Sequence, residues 1–269
     1  KNIKYVSTKY FDVIYSEASK ESAAELVQQA DAILEDICAD LGIAPGVGES
    51  RMPVVISPAT DLFNAYYTNY TYNHIVLYDA VPEDDMAVNN NTIVETFKHE
   101  LTHAVTINMR NGFWKGVDSF FGDVVNWGDY VVMPSLIKEG ASVAYESKTG
   151  MGRLHDEYYL QQVKQAKIER VFPSWADVTG ATDVYPSGNT AYGFGGPFTE
   201  WLQKTYGMER YARYWYNAVN MKALTFATSF KKAFGVSLDT AWKLFEASVS
   251  VPDVASDPLT EDGISDFFM

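Results

Sequence analysis

The feature that most constrains this chain is the pentapeptide His99-Glu100-Leu101-Thr102-His103. Two histidines four residues apart lie one turn from each other on a single helix face. That spacing lets both imidazoles reach one Zn²⁺, with the intervening glutamate leaning toward the same ion. The reading needs a rigid helix, and the flanking residues predict one over 92–110. Thr92 and Glu95 have the spacing of a capping box. Ile93, Val94, Phe97, Leu101, Ala104 and Val105 recur as a core-facing stripe, and Asn111-Gly112 is a stop signal. The histidines therefore fall in the middle of the helix.

Composition narrows the partners. A chain of 269 residues with 47% hydrophobic side chains can bury a sizeable core. A net charge of −14 without a basic patch argues against nucleic acid and anionic membranes. No apolar run has the length of a transmembrane helix. The single cysteine, Cys38, excludes an internal disulfide and a cysteine-built zinc site. Its place on an apolar helix face predicts a buried, inert thiol.

In chain order, 10–15 reads as a strand and 19–41 as a long amphipathic helix with Leu26, Val27, Ala30, Ile33, Leu34, Ile37, Cys38 and Leu41 on its apolar stripe. A Pro/Gly-rich turn over 44–50 leads to a strand at 52–57. A Tyr/Asn-rich segment, 64–73, precedes a third strand at 74–79. Helices are predicted from 134 toward 150 and at 155–170, 188–206, 209–219, 225–234 and 238–248. The expected class is α+β, with an α+β subdomain over 1–110 ending in the HExxH helix. A helical subdomain over 111–250 and an acidic linker or tail over 251–269 complete the division. The cleft is expected between the two halves. An aromatic, glycine-interrupted insert at 113–132 reads as a lid or cleft wall, ahead of a membrane-touching loop or core filler.

Two histidines do not complete a catalytic zinc site, which needs three protein ligands and an open position for water. A metzincin would place Gly and a third His where Thr106 and Met109 stand, so that class is excluded. His74 and His155 have no supporting pattern and read as surface or capping residues. The best third ligand is Glu139, on the helix beginning near Pro134, where the small Gly140 and Ala141 permit close approach to the HExxH helix. Glu146, two turns beyond Glu139 on the same face, is the nearest carboxylate able to orient a ligand histidine. A solvent-exposed role is the plainer alternative for it.

The combination of HELTH with Glu139-Gly140 and Tyr145-Glu146-Ser147 resembles the gluzincin zinc metallopeptidases, and more narrowly the small peptidase-MA-like group. Gly152-Arg153, Tyr192-Gly-Phe-Gly-Gly-Pro-Phe198 with Trp201-Leu202 and Thr205-Tyr206-Gly207, and 230–238 with Trp242 extend the resemblance over roughly 5–250. Leu136-Ile137 stands where that group often has Trp-Leu. The resemblance implies a thermolysin-like fold and one catalytic Zn²⁺ held by His99, His103 and Glu139. It also implies hydrolysis of a peptide or protein substrate, with Glu100 as general base. A second electrophile from the C-terminal helices usually holds the oxyanion; Tyr192 matches the family block, with Tyr185 and Tyr145 as fallbacks. In metallopeptidases so built, the strand nearest the cleft is a sheet edge that pairs with substrate. The strand at 74–79 fills that place, unless it is an internal strand.

The chain also lacks an initiator Met, and Asp257-Pro-Leu-Thr-Glu-Asp-Gly263 resembles the junction at which related proteins enter a β-propeller. The expectation is an extracytoplasmic peptidase region, periplasmic, secreted or surface-anchored, with a downstream β-propeller. The competing functional classes are a catalytically idle binding module that keeps the metallopeptidase fold, and a zinc hydrolase acting on another bond.

Overall fold

Alternating apolar residues build one mixed five-stranded sheet in the computed structural model, which describes residues 2–46, 50–58, 61–69, 72–80, 92–121, 133–180, 187–223 and 225–251. The strands are β1 (Ile3–Ser7), β2 (Phe11–Ser16), β3 (Met52–Ser57), β4 (Ala65–Thr68) and β5 (His74–Tyr78), in the order β1-β2-β3-β5-β4. The central three run parallel, and β1 and β4 flank them antiparallel. With side chains alternating between faces, Phe11, Val13, Met52, Val54, Ile56, Ile75 and Leu77 share one buried face.

Helices α1 (Lys20–Asp40) and α2 (Thr92–Ile107) contribute to the core on that face. Leu26, Ala30, Leu34, Ile37 and Cys38 of α1 are buried at helical spacing, and Phe97 of α2 meets Phe11 edge-on at 5.3 Å between ring centroids. Burial pushes the Cys38 thiol's pKa up. The remainder is helical: α3 (Gly112–Phe121), α4 (Ser135–Glu146), α5 (Glu157–Ile168), α6 (Trp175–Gly180), α7 (Thr190–Tyr206), α8 (Met208–Val219), α9 (Phe226–Phe234) and α10 (Leu238–Ser248). The buried apolar side chains form one connected cluster from Phe11 to Phe245. Among the described residues no helix is long and apolar enough to cross a membrane.

The α+β class stands, with three corrections of detail. The strand at 74–78 is internal to the sheet, and the edge beside it is β4, inside the segment read from sequence as Tyr/Asn-rich loop. Asn111 does not merely follow a helix; its Oδ1 accepts from the N–H groups of Phe113 and Trp114, capping α3. Gly112 and Gly116 therefore do not break the aromatic insert, whose first half is helical with Phe113 and Phe120 exposed. Its second half, the Thr92 side chain, Tyr185 and the acidic tail beyond 251 lie outside the described residues.

Candidate metal centre

Helix α2 satisfies its own buried hydroxyls. The buried hydroxyls of Thr102 and Thr106 donate to the carbonyls of Lys98 and Thr102 one turn back, so they need no outside partner. His99 and His103 project from this helix toward α4, their rings edge to face at 5.0 Å. Glu139 on α4 meets both: its Oε2 lies 3.3 Å from Nε2 of His99 and 3.3 Å from Nε2 of His103. One ligand atom from each of the three residues falls within 4.8 Å of the others.

Those separations suit a shared ion. Two ligand atoms at about 2.0–2.1 Å from a tetrahedral Zn²⁺ lie roughly 3.3–3.4 Å apart. A direct charge-assisted hydrogen bond is shorter, about 2.7–2.9 Å. The other nitrogen of His99 shows the contrast, for its Nδ1 lies 2.9 Å from Glu146 Oε2. Arg153 Nη2 also lies 3.0 Å from Nδ1, but it has the shorter bond to Glu146 Oε2 at 2.7 Å; the ionised carboxylate only accepts, so it favours a proton on Nδ1, which leaves the Nε2 lone pair for a metal.

Glu146 is in turn gripped by Arg153, whose Nε donates to Oε1 at 2.6 Å and whose Nη2 donates to Oε2 at 2.7 Å. Arg153 reaches back seven residues because the chain turns sharply at Gly152, which has φ +86. A Cβ there would fall 2.8 Å from Ser147 Oγ. The guanidinium lies over the rings of Tyr192 at 5.1 Å and Tyr159 at 5.7 Å.

Charge balance governs the ionisation. Burial would raise Glu146, but Arg153 and His99 hold its pKa down to about 2. Burial likewise opposes ionisation of Glu139, and the two histidines hold it well below the carboxylate range. Burial would lower His99, yet the flanking carboxylates of Glu139 and Glu146 prevail and raise it to about 9 in the metal-free chain.

Helix α7 brings Tyr192. Its ring stacks on His99 at 5.8 Å and 22°, with the Glu139 carboxylate near enough to act on its hydroxyl. Burial, then the charge of Glu139, push its pKa up, so the phenol stays a neutral donor. The approach depends on two glycines: a Cβ on Gly140 would lie 2.4 Å from the Gly195 carbonyl oxygen, and one on Gly195 would lie 2.5 Å from that of Leu136. Glu100 completes the group; it is 9% exposed, and its Oε2 accepts from the main-chain N–H of Tyr67 on β4 at 2.8 Å.

His99, His103, Glu139, Glu100 and Tyr192 thus converge. Tyr145 does not: it is buried on the side of α4 that faces Asp36, Cys38 and Asp40 of α1. His74 donates from Nδ1 to the Tyr72 carbonyl and His155 donates from Nε2 to the Ser147 carbonyl, the local roles expected of them. Arg153 and Tyr67 carried no sequence assignment. A Gly-Arg pair after the ligand helix marked the first, and nothing in the Tyr/Asn-rich segment marked the second.

No family model matches the chain. A protein of Treponema pallidum (strain Nichols), described as an uncharacterized protein, is 35% identical over 255 residues, which cover 94% of this chain. The chain spans 22% of that relative's length.

Proposed function

We propose that the chain is a zinc-dependent metallopeptidase of the thermolysin-like, gluzincin type. The observation that carries the reading is Glu139 Oε2 lying 3.3 Å from both His99 Nε2 and His103 Nε2, the three ligand atoms within 4.8 Å of one another, with Glu100 adjoining His99 on α2. Two neutral imidazoles and one carboxylate are the donor set of a catalytic rather than a structural zinc site. When bound there, zinc supplies a Lewis acid that lowers the pKa of a water from about 15.7 toward about 7.

The chain's own residues supply the rest. Glu100 accepts a proton from the attacking water and passes it to the leaving amine. Tyr192, kept protonated by burial, donates its hydroxyl hydrogen to the oxyanion that develops on the peptide carbonyl. Glu146 and Arg153 hold the His99 ring in its tautomer and orientation.

Zinc loading followed by elemental analysis, together with peptide-library cleavage by the wild type and Glu100→Gln, tests the reading. The expected result is about one zinc per chain in both proteins. Hydrolysis should fall roughly 10²–10⁴-fold in the variant, as loss of a general base does. Absence of stoichiometric metal, or near-normal turnover by Glu100→Gln, would overturn it.

A further inference from the structure

We propose that Tyr67 is a positioning residue for Glu100, fixing the carboxylate through its main-chain N–H and fixing strand β4 to helix α2 through its hydroxyl. The inference rests on the reading of Glu100 as the proton acceptor.

The first half follows from the register of the sheet. The Tyr78 N–H donates to the Asn64 carbonyl at 3.0 Å, which makes those two residues a hydrogen-bonded antiparallel pair. Bonded pairs alternate along such a ladder. Tyr66 with Val76 and Thr68 with His74 are therefore the next bonded pairs, and Ala65 and Tyr67 direct their main-chain groups away from β5. Both outward N–H groups are taken by side chains. Ala65 donates to Asn64 Oδ1 at 2.8 Å, a local contact at an exposed residue. Tyr67 donates to Glu100 Oε2 at 2.8 Å, across 33 residues.

The second half lies at the other end of the same residue. The Tyr67 hydroxyl donates to Asn73 Oδ1 at 2.5 Å and accepts from Asn108 Nδ2 at 2.9 Å. Asn108 also donates from Nδ2 to the Ala104 carbonyl at 2.6 Å, so it is seated on the last turn of α2. Tyr67 thus grips α2 twice, at Glu100 and about two turns further on.

A main-chain donor moves only as far as its strand, and the hydroxyl clamp fixes the strand. With Oε2 tethered, the remaining oxygen of Glu100 keeps a defined position for proton transfer. A misplacement of about 1 Å can cost on the order of a hundredfold in rate.

Amide exchange reads the contact without reference to activity. In the full chain, zinc-loaded, exchange of the Tyr67 amide is expected to quicken about tenfold or more in Glu100→Ala, because a charge-assisted bond is lost. The Tyr66 and Thr68 amides, directed at β5, should hold their rates. Equal Tyr67 exchange in the two proteins overturns the proposal.

Kinetics with fluorescein-labelled casein read the role. Two variants separate the two ends: Tyr67→Phe removes the hydroxyl, and 4-hydroxyphenyllactate at position 67 removes only the N–H. Both are expected to lower kcat, the ester by about tenfold or more. KM should stay within about twofold and zinc content should be unchanged. If Glu100→Gln abolishes turnover while both Tyr67 variants keep the wild-type kcat and merely melt earlier, the inference fails and the peptidase reading survives. If the wild type cleaves nothing, both fail.

Discussion

Glu146 Oε2 sits 2.9 Å from His99 Nδ1 while the same carboxylate takes two guanidinium donors from Arg153. A buried carboxylate held on one side by a permanent cation is locked in its ionised form. It can therefore act on the histidine only as an acceptor. The orientation of one ligand ring is thus set by an arginine that touches neither Glu139 nor His103 through any hydrogen bond described here, and the Tyr192 ring rests on that same arginine.

The Arg153–Glu146 pair is nearly fully buried, with side-chain exposures of 11% and 4%. Replacing either partner leaves the other charge uncompensated, at a cost of about 3–5 kcal/mol. Arg153→Met and Glu146→Gln are each expected to show that loss in urea melts. The double variant should recover on the order of 1–3 kcal/mol relative to additivity. Zinc affinity of Glu146→Gln should fall roughly 10–100-fold with all three ligands in place. Strict additivity, or unchanged zinc affinity, would show that the pair does not support the centre.

Tyr192→Phe is expected to lower kcat much more than it raises KM, the pattern of a contact made in the transition state alone. Zinc content should stay at the wild-type level, since no ligand is lost. A variant with unaltered kcat and a lower melting temperature would make Tyr192 a packing residue that happens to stack on His99.

Gly140→Ala tests how the third ligand is placed. The added Cβ would meet the Gly195 carbonyl at 2.4 Å and Thr199 Oγ1 at 2.7 Å, mostly backbone and helix-bound atoms that cannot swing aside. Overpacking of this kind costs about 1–3 kcal/mol. Because the neighbouring residue is Glu139, zinc affinity should drop along with the melting temperature. A variant that melts and binds zinc like the wild type would mean that the two helices can part without disturbing the centre.

Glu95, one turn before His99, is 6% exposed, and among the described residues its Oε2 has no hydrogen-bond partner. Burial, opposed by Lys98 and reinforced by Glu146, raises its pKa above the ordinary value of 4.5. Below that value the carboxyl is protonated both folded and unfolded, and it has no effect on the balance. As pH rises through its folded-state pKa, ionisation costs more in the folded chain, so stability falls. The melting-temperature difference between Glu95→Gln and wild type should therefore be flat below about pH 4.5 and grow in favour of the variant above it. A difference that is flat across the whole range would refute the assignment.

What the sequence disclosed and what it hid divide along physical lines. The HExxH helix, Glu139 and the C-terminal helices were legible because a 3.6-residue period repeats over several turns. Strand β4 has four residues, Ala65, Tyr66, Tyr67 and Thr68, and the neighbouring tyrosines give no alternation. Strand β1 is similarly opaque, with Ile3, Lys4 and Tyr5 all exposed. The internal position of β5 followed from β4 and was lost with it. Arg153 went unassigned because its partner is reached only after the turn at Gly152, a tertiary consequence of one backbone angle. Asn111 looked like a terminator because the residues that end one helix and begin the next are drawn from the same small set.

The glycine contact between α4 and α7 also bears on when this centre comes into being. His99 and His103 reside on the helix over 92–107, Glu139 on that over 135–146 and Tyr192 on that over 190–206. No stretch emerging early from the ribosome contains the set, and even a complete chain lacks it until Gly140 meets Gly195. A centre so distributed is incomplete until the chain has been made past Tyr192. Under the proposed function, a copy in which α4 and α7 fail to pack would lack the assembled site and its activity.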